Sequence, residues 1–388
     1  MPAKSPRHRL SERLDRLPPY LFAEIDRKKK EVRARGIDLI DLSIGDPDLP
    51  TPAPIIEALR RAAGDPRNHQ YPSYEGLLSF RQAAADFYRR RFGVELDPET
   101  EVLTLIGSKE GIAHFPLAFT DPGAQVLVPD PGYPVYGAAT ILAAGEPQTF
   151  PLRAERGFLP DLKKLIPKKD ARILFLNYPN NPTSAVCDQK FLKQAVEFCQ
   201  TNHLILAYDA AYSEIYFDSP PGSALQVPGA RDVTIEFHSL SKTFNMTGWR
   251  IGFAVGNAEL IAGLRKVKTN IDSGTFQAVQ EAGIAALASP PELTEGIRKV
   301  YRERRDILAR SLKQVGLDFE LPAATFYLWA RVPSGQDSAG YTTLLLEKAG
   351  VVVTPGVGFG RTGEGYIRFA LTKDKDRIAE AARRIASL

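Results

Sequence analysis

Short apolar runs alternate with amphipathic stretches through the middle of the chain. The runs at 172–176 and 204–208 have no polar face, which is typical of strands buried on both sides of a parallel sheet. The pattern predicts, in order, strand 101–106, helix 109–119, strand 125–128, helix 134–144, strand 172–176, helix 189–200, strand 204–208, strand 233–237 and strand 251–255. Strands and helices that alternate in this way predict an α/β layer with a largely parallel sheet.

The C-terminal third has a different pattern. From about residue 256 a long periodic helical stretch runs to about 312, and the pattern then predicts strands 326–332, 351–354 and 366–371 and a helix at 373–385. This mixture predicts a smaller α+β domain, which the first residues of the chain are expected to join. The 388 residues are enough for two domains. We expect a large domain at 47–290 and a small one formed by 1–46 and 291–388.

Composition and charge exclude several classes of protein. The chain is 44% hydrophobic and 25% charged with a net charge of +4, as in ordinary soluble globular proteins. Its densest basic run, at 27–30, is followed at once by Glu31, so a solvated helix face is favoured over a nucleic-acid site. No apolar run reaches the ~18 residues of a membrane span. No apolar segment follows the basic residues near the N-terminus, so we expect no signal peptide.

The cysteines and histidines indicate neither disulfides nor a metal site. Cys187 and Cys199 lack pairing or metal-ligand spacing, which favours a reducing, cytoplasmic location. The five histidines form no ligand pair at helical or hairpin spacing, so we expect no metal.

The stretch from Ser241 to Arg250 carries the strongest chemical signal. Lys242 lies among small and hydroxyl residues, and a lysine that attacks a carbonyl must be partly desolvated to be neutral and nucleophilic. Ser239, Ser241 and Arg250 could bind a phosphate, because hydroxyls donate hydrogen bonds and a guanidinium pairs two oxygens at once. A basic loop before a strand is the alternative.

Other polar residues follow the predicted strands at their carboxyl ends, where parallel sheets bind ligands. Ser108 opens a helix after Gly107, which makes either an anion site or an ordinary cap. The loop 177–184 contains three asparagines and two prolines, so it is either a rigid donor loop or a plain turn. Asp209 ends an apolar strand and needs a cation, either a protonated pyridine nitrogen or a structural partner. Tyr212 could be a phenol donor or a core residue.

In combination these motifs resemble those of class I and II aminotransferases, which are pyridoxal-phosphate enzymes. Asn-Asn-Pro-Thr at 180–183, Asp-x-x-Tyr at 209–212 and Ser-x-Ser-Lys at 239–242 occur in that family's order and spacing. Ser184 stands where the family usually has a glycine. The resemblance extends from about residue 13 to the C-terminus. It implies the PLP-dependent transferase fold type I: a large cofactor-binding domain with a mostly parallel seven-stranded sheet, and a smaller α+β domain with an N-terminal arm.

The resemblance also implies roles for residues that hold pyridoxal 5'-phosphate. The implied contacts are Ser108, Lys109, Tyr133, Asn181, Asp209, Tyr212, Ser239, Lys242, Arg250 and Tyr71. Lys242 would hold the cofactor covalently and then transfer protons as the catalytic base and acid. Asp209 would pair with the ring nitrogen, Asn181 and Tyr212 with the phenolic oxygen, and Tyr133 would stack on the ring. The remaining residues would hold the phosphate.

Substrate residues and the active unit follow from the same resemblance. Arg368 matches the arginine that binds the substrate α-carboxylate, a group that its planar fork suits. Gly45 would offer its backbone to the same group, and Asn181 and Tyr133 would also contact the substrate. Tyr71 matches a tyrosine that family members send across a subunit interface, which implies a homodimer with shared active sites.

Within the family, the chain is most similar to LL-diaminopimelate aminotransferases. The similar stretches are 17–26, 130–136 and 241–252. The implied reaction is amino transfer between LL-diaminopimelate and 2-oxoglutarate, in lysine biosynthesis. Glu75, beside Tyr74, is our hypothesis for the acid that binds the distal end of that substrate, with a solvated glutamate as the alternative. A broader aspartate- or aromatic-type transaminase and a carbon–sulfur lyase on the same scaffold are the other functions considered.

Overall fold

The computed structural model describes residues 8–18 and 21–388, with the side chains of 21–26 outside that description. The similar stretch at 17–26 is therefore described at residues 17 and 18 and along the backbone of 21–26, and residues 1–7 of the N-terminal arm lie outside the described residues. The strands are β1 (Ile40–Asp41), β2 (Val102–Leu105), β3 (Gln125–Asp130), β4 (Glu146–Pro151), β5 (Ile173–Asn177), β6 (Ile205–Asp209), β7 (Thr234–Ser239), β8 (Gly252–Gly256), β9 (Tyr327–Arg331), β10 (Val351–Val352), β11 (Thr354–Pro355) and β12 (Tyr366–Ala370). The helices are α1 (Glu12–Asp15), α2 (Leu21–Ala34), α3 (Ala53–Ala63), α4 (Leu78–Phe92), α5 (Ser108–Phe119), α6 (Val135–Leu142), α7 (Gln189–Thr201), α8 (Leu240–Thr243), α9 (Ala258–Lys268), α10 (Gln277–Leu287), α11 (Pro291–Gln314), α12 (Ser338–Leu344) and α13 (Lys375–Ala386).

A seven-stranded sheet forms the larger part of the structure, with the strand order β2-β8-β7-β6-β5-β3-β4. Its pairs are parallel from β7 through β4, whereas β8 runs antiparallel to both β7 and β2. The central strands β5 and β7 are buried at every position. The mostly parallel seven-stranded sheet of the prediction is confirmed.

The smaller α+β part is also present. It contains an antiparallel sheet in the order β11-β12-β9 and a parallel pair of β1 with β10. The helix α13 packs through Ile378, Ala381, Ala382 and Ile385, which follow the spacing of one helix face. Ile40 and Leu42 share a core cluster with this helix and with β9 and β12. The packing of these N-terminal residues in the C-terminal core agrees with the predicted small domain of 1–46 and 291–388, whose boundaries remain a prediction.

Three details of the predicted elements differ from the structure. The helical stretch predicted from about 256 to 312 is three helices, interrupted by Gly274 with φ 85° and by the pair Pro290-Pro291. The strand predicted at 351–354 divides between two sheets, as β10 and β11. The edge strand β4 was not predicted, because prolines at both ends and mostly exposed positions hide its pattern.

Candidate active site

Polar residues from three neighbouring strands meet at one edge of the large sheet. Asn177 ends β5 and pairs in register with Asp209, which ends β6. Ser239 ends the next strand, β7, and the short helix α8 that follows it carries Lys242. Because the carboxyl ends of parallel strands lie at the same edge, the fold brings these predicted residues together.

Lys242 is held in a partly buried position with a lowered pKa. The side chain of Ser239 caps α8 by accepting a hydrogen bond from Ser241 N at 3.3 Å. The Lys242 amine donates to the carbonyl oxygen of Gly45 at 2.8 Å. Burial, opposed by Asp46 and aided by Arg250 and Arg368, lowers the pKa of Lys242 to about 8. At pH 7 roughly a tenth of this amine is therefore neutral, against less than about a thousandth at its ordinary pKa of 10.5.

Asp209 is a buried acid without a basic partner. Its carboxylate accepts hydrogen bonds from the Tyr136 hydroxyl at 2.7 Å and from Ala211 N at 3.2 Å. Among the described residues, no lysine, arginine or histidine forms an ion pair with it. Burial, opposed by those hydrogen bonds, raises the pKa of Asp209 to about 6. A buried carboxylate in this state favours a cationic ligand.

Arg250 and the start of α5 form a cationic cradle beside the sheet. A Cβ added to Gly107 would lie 2.5 Å from Arg250 Nη2, and one added to Gly252 would lie 2.9 Å from Ser108 N. Glycine at both positions therefore lets the guanidinium and the helix start approach closely. Within the described residues, Arg250 has no acidic partner. An unpaired guanidinium near a helix N-terminus suits an anion.

The loop 177–184 is fixed by its own amides. Asn177 donates through Nδ2 to Asp209 O at 2.7 Å and accepts from Asn181 N at 2.8 Å. Asn180 accepts from both the amide and the hydroxyl of Thr183. These bonds leave the side-chain oxygen of Asn181 to accept from Arg368 Nη1 at 2.7 Å. These hydrogen bonds favour the rigid donor loop over the plain turn.

Arg368 is a buried cation without a carboxylate. It is 3% exposed and donates to Asn181 and to the carbonyl oxygen of Ser43, while its Nε has no partner. Its guanidinium lies 4.1 Å from the ring centre of Tyr327 and 4.7 Å from that of Phe359. No acid of the described chain pairs with it, so an incoming carboxylate would supply the missing charge.

Residues 43–48 serve the site largely through their main chain. Besides the bonds from Lys242 and Arg368, the carbonyl oxygen of Ile44 accepts from the Thr372 hydroxyl at 2.7 Å. Asp48 accepts two hydrogen bonds from Arg304, at 2.6 and 2.8 Å. This segment therefore joins the catalytic lysine candidate to the smaller α+β part.

Two tyrosines in the site were missed at the sequence level. Tyr136 is the hydroxyl partner of Asp209, and its ring lies 5.8 Å from that of Tyr133. The hydroxyl of Tyr327 lies 2.9 Å from that of Tyr212. The motif around Tyr133 could have indicated Tyr136, which lies about one helical turn later, whereas Tyr327 gave no local signal.

Two predicted residues, Tyr71 and Glu75, are not brought into contact with the others. Tyr71 is 89% exposed and makes no hydrogen bond or ring contact among the described residues. Glu75 forms ion pairs with Arg265 at 3.1 Å and with Arg81 at 3.7 Å. Both lie in the segment 71–75, which also contains the exposed side chain of Tyr74.

One group of possible metal ligands occurs in the described residues, formed by Glu110, His114 and Asp272. The ammonium of Lys268 lies 2.7 Å from Asp272 and 3.5 Å from Glu110, so the group already contains a cation. Separately, none of the described helices combines the length and apolar character needed to cross a membrane.

Comparison with known proteins places this geometry in a family. The chain matches the aminotransferase class I and II family over residues 37–385. It is 59% identical to the LL-diaminopimelate aminotransferase of Aquifex aeolicus, covering 97% of this chain and 98% of that protein. It is 57% identical to the protein of the same name from Nitratidesulfovibrio vulgaris strain Miyazaki F, covering 98% and 99%. Substrate-bound BacF from Bacillus subtilis superimposes with a TM-score of 0.93 at 39% identity, covering 98% of both chains. The chain therefore belongs to the class I and II aminotransferases.

Proposed function

We propose that this protein is a pyridoxal-phosphate-dependent aminotransferase that moves the amino group between LL-diaminopimelate and 2-oxoglutarate, in lysine biosynthesis. The observation that carries the reaction class is the pair of uncompensated buried charges around Lys242: among the described residues, Asp209 has no ion-pair partner and Arg368 has no acid. The assignment of the amino acid rests on the 59% identity to the Aquifex aeolicus enzyme.

The donor set fits pyridoxal phosphate. Arg250 and the amide of Ser108 suit its phosphate, with Lys109, Ser239 and a partner-subunit Tyr71 as further candidates. Asp209 suits the protonated ring nitrogen, because a buried carboxylate with a raised pKa is stabilised by a cation. Asn181 and Tyr212 would donate to the phenolic oxygen, and Tyr133 would stack on the ring.

The residues of the chain have separate roles in the proposed reaction. When bound, pyridoxal phosphate supplies a carbonyl for the amino group and a ring that withdraws electrons from the substrate α-carbon. The neutral amine of Lys242 takes and returns the proton at that carbon, a task suited to a pKa of about 8. Arg368 orients the α-carboxylate, and Gly45 lines the same place through its backbone.

We propose a cytoplasmic homodimer as the active unit. Support comes from the exposed aromatic and aliphatic side chains of Tyr71, Tyr74, Ile271 and Phe276, which a second subunit would cover. Gly274 lies against the segment that carries Tyr74, so these residues belong to neighbouring surface loops. Glu75 stays a candidate for binding the distal end of the substrate, although it would first have to leave Arg265.

Spectral titration with single amino acids tests the proposed function. Purified protein is loaded with pyridoxal phosphate, and its visible band is followed without any amino acceptor. We expect LL-diaminopimelate to bleach the band at lower concentration than aspartate, glutamate or aromatic amino acids do. Bleaching mainly by aspartate or aromatic amino acids would move the assignment to a broader transaminase. Release of a thiol and ammonia from an added thioether amino acid would indicate a carbon–sulfur lyase.

A covalent test identifies the lysine. Borohydride reduction of the loaded protein followed by peptide mapping should find the cofactor on Lys242. Lys242→Ala should give no visible band, whereas Lys109→Ala should keep the band with weaker cofactor binding. Cofactor trapped on any other lysine would overturn the whole assignment.

A further inference from the structure

A closed ring of three hydrogen bonds joins the loop 177–184 to the start of β9. Tyr327 N donates to Thr325 Oγ1 at 3.0 Å, and Ser184 Oγ donates to Tyr327 O at 2.9 Å. The two hydroxyls lie 2.7 Å apart. Because Ser184 has already given its one proton to Tyr327 O, Thr325 must donate to Ser184. Each hydroxyl thus donates once and accepts once, and both polar groups of the Tyr327 main chain are held.

Both hydroxyl residues of this ring have strained backbones. Ser184 has φ 61° and Thr325 has φ 65°, in the left-handed region that disfavours side chains and above all β-branched ones. Such conformations persist where the surroundings over-determine them. A glycine at position 184 would accept this φ without cost but could not form the ring.

The side chain of Tyr327 touches three of the predicted site residues. Its hydroxyl meets that of Tyr212 at 2.9 Å, and its ring faces the guanidinium of Arg368 at 4.1 Å. A Cβ added to Gly45 would lie only 1.9 Å from the Tyr327 hydroxyl. The tyrosine is 2% exposed, so its ring cannot turn away from these neighbours.

We propose that Ser184, Thr325 and Tyr327 are positioning residues that set the affinity of the site for the substrate carboxylate. The ring fixes the main chain of Tyr327, and the aromatic side chain then holds the guanidinium of Arg368 and the hydroxyl of Tyr212. This inference rests on the proposed function, in which Arg368 binds that carboxylate. The ring would therefore raise the affinity for the substrate although none of its three residues touches the substrate.

Ser184 variants separate positioning from stability. Ser184→Ala removes the hydroxyl and keeps the strain, whereas Ser184→Gly removes both. The matched control is Ser338→Ala in α12, which deletes another fully buried serine hydroxyl, bonded to Glu364 at 3.0 Å. Thr325→Ser retains a hydroxyl in the ring, and Tyr327→Phe removes only the hydroxyl that meets Tyr212 and lies beside Gly45.

Two measurements are made on each loaded variant. Calorimetry gives the Kd for 2-oxoglutarate, which has no amino group to transfer and so reports binding without turnover. The half-reaction with the amino acid that wild type accepts best gives a rate constant and an apparent Kd separately. Urea unfolding of the same proteins gives their stability.

Both Ser184 variants should raise the Kd about tenfold, with a smaller change in the rate constant, because a misplaced guanidinium weakens binding first. Ser184→Gly should be more stable than Ser184→Ala and should bind equally weakly. Thr325→Ser should bind like wild type, Tyr327→Phe about threefold more weakly, and Ser338→Ala should lose stability with an unchanged Kd.

Wild-type affinity in both Ser184 variants would overturn the inference, whatever their stability. Equal weakening by Ser338→Ala would also overturn it, because general loosening would then explain the effect. If Ser184→Ala does not fold, Ser184→Gly carries the test. Failure of the wild type with LL-diaminopimelate would overturn the proposed substrate alone, since the variants are compared on whichever amino acid and oxo acid the wild type binds.

Discussion

Two buried arginines of the smaller α+β part differ in what they face. Arg304 is 4% exposed and forms two hydrogen bonds with the carboxylate of Asp48. Arg368 is 3% exposed and, within the part of the chain that the structure describes, meets an amide oxygen, a carbonyl oxygen and two aromatic rings but no carboxylate. Burial of a charge is costly unless the charge is paired. The charge of the first arginine is therefore balanced within the protein, whereas that of the second is balanced only with a ligand.

Two buried acids on neighbouring strands repeat this contrast. Glu236 accepts hydrogen bonds from the hydroxyls of Tyr88 and Ser223, at 2.5 and 2.8 Å, and from Ala224 N at 2.5 Å. Asp209 has the Tyr136 hydroxyl and one amide. Within this fold, a buried charged side chain with more polar partners is thus interpreted as structural, and one with fewer is interpreted as ligand-binding.

Replacement of the two arginines should give opposite results, and this is the largest effect that we expect. Arg368→Gln should weaken binding of the amino donor by roughly 100-fold or more, because a desolvated charge pair is lost. Its cofactor-free form should keep wild-type stability. Arg304→Gln should lower the free energy of unfolding by roughly 3 kcal/mol, because Asp48 loses its partner. Half-reaction titrations and urea unfolding measure the two effects, and an equal loss of stability in both variants would contradict the comparison.

The buried acid Asp209 should make the stability of the protein depend on pH. Burial raises the pKa of Asp209 from 3.8 to about 6, so the folded protein keeps a proton there that the unfolded chain has lost. Stability should therefore fall as pH rises between about 4 and 6, by roughly 3 kcal/mol for a shift of about two units. Asp209→Asn should lack this decrease and should bind pyridoxal phosphate more weakly.

Glu236→Gln is the matched control for that experiment. It leaves hydrogen-bond donors without a charged acceptor, so it should destabilise the protein at neutral pH by roughly 2 kcal/mol. Unfolding of cofactor-free proteins across pH 4 to 7 distinguishes the variants. A wild type whose unfolding energy relative to Asp209→Asn does not change with pH would show that Asp209 is not the uncompensated acid.

The smallest expected effect comes from the partner of Asp209. Tyr136→Phe removes a hydrogen bond that lowers the pKa of the carboxyl. The pKa should rise further above about 6, and the pH at which the loss of stability ends should move up by about one unit, which corresponds to the roughly 1.4 kcal/mol of a single strong hydrogen bond. The same unfolding series detects this displacement, with Tyr133→Phe as the control on the adjacent ring.

The sequence predicted the centre of the fold better than its edges. Strands β5 and β6 were visible because strands buried on both faces are apolar throughout. The edge strand β4 carries prolines and mostly exposed positions, and the two-residue strand β1 is too short for any pattern. Their pairing depends on contacts between distant parts of the chain, which periodicity does not report.

In the candidate site, too, some residues could be predicted from the sequence and others could not. Lys242 and Asp209 were predictable because each follows an apolar strand, where topology alone sets their neighbourhood. Tyr327 contacts Tyr212 across 115 positions of sequence, and the chain has no local sign of that meeting. The ion pair of Glu75 with Arg265 was equally hidden, because 190 positions separate the two residues.

The segment 43–48 has a consequence for how the protein tolerates change. Its carbonyl oxygens serve Lys242, Arg368 and Thr372, and the side chain between them, Ile44, is 46% exposed. A carbonyl belongs to every amino acid, so exchanging Ile44 alters none of these bonds. Inserting or deleting one residue would shift all of them together. A mutational scan should therefore find that position 44 tolerates substitution but does not tolerate an insertion or a deletion.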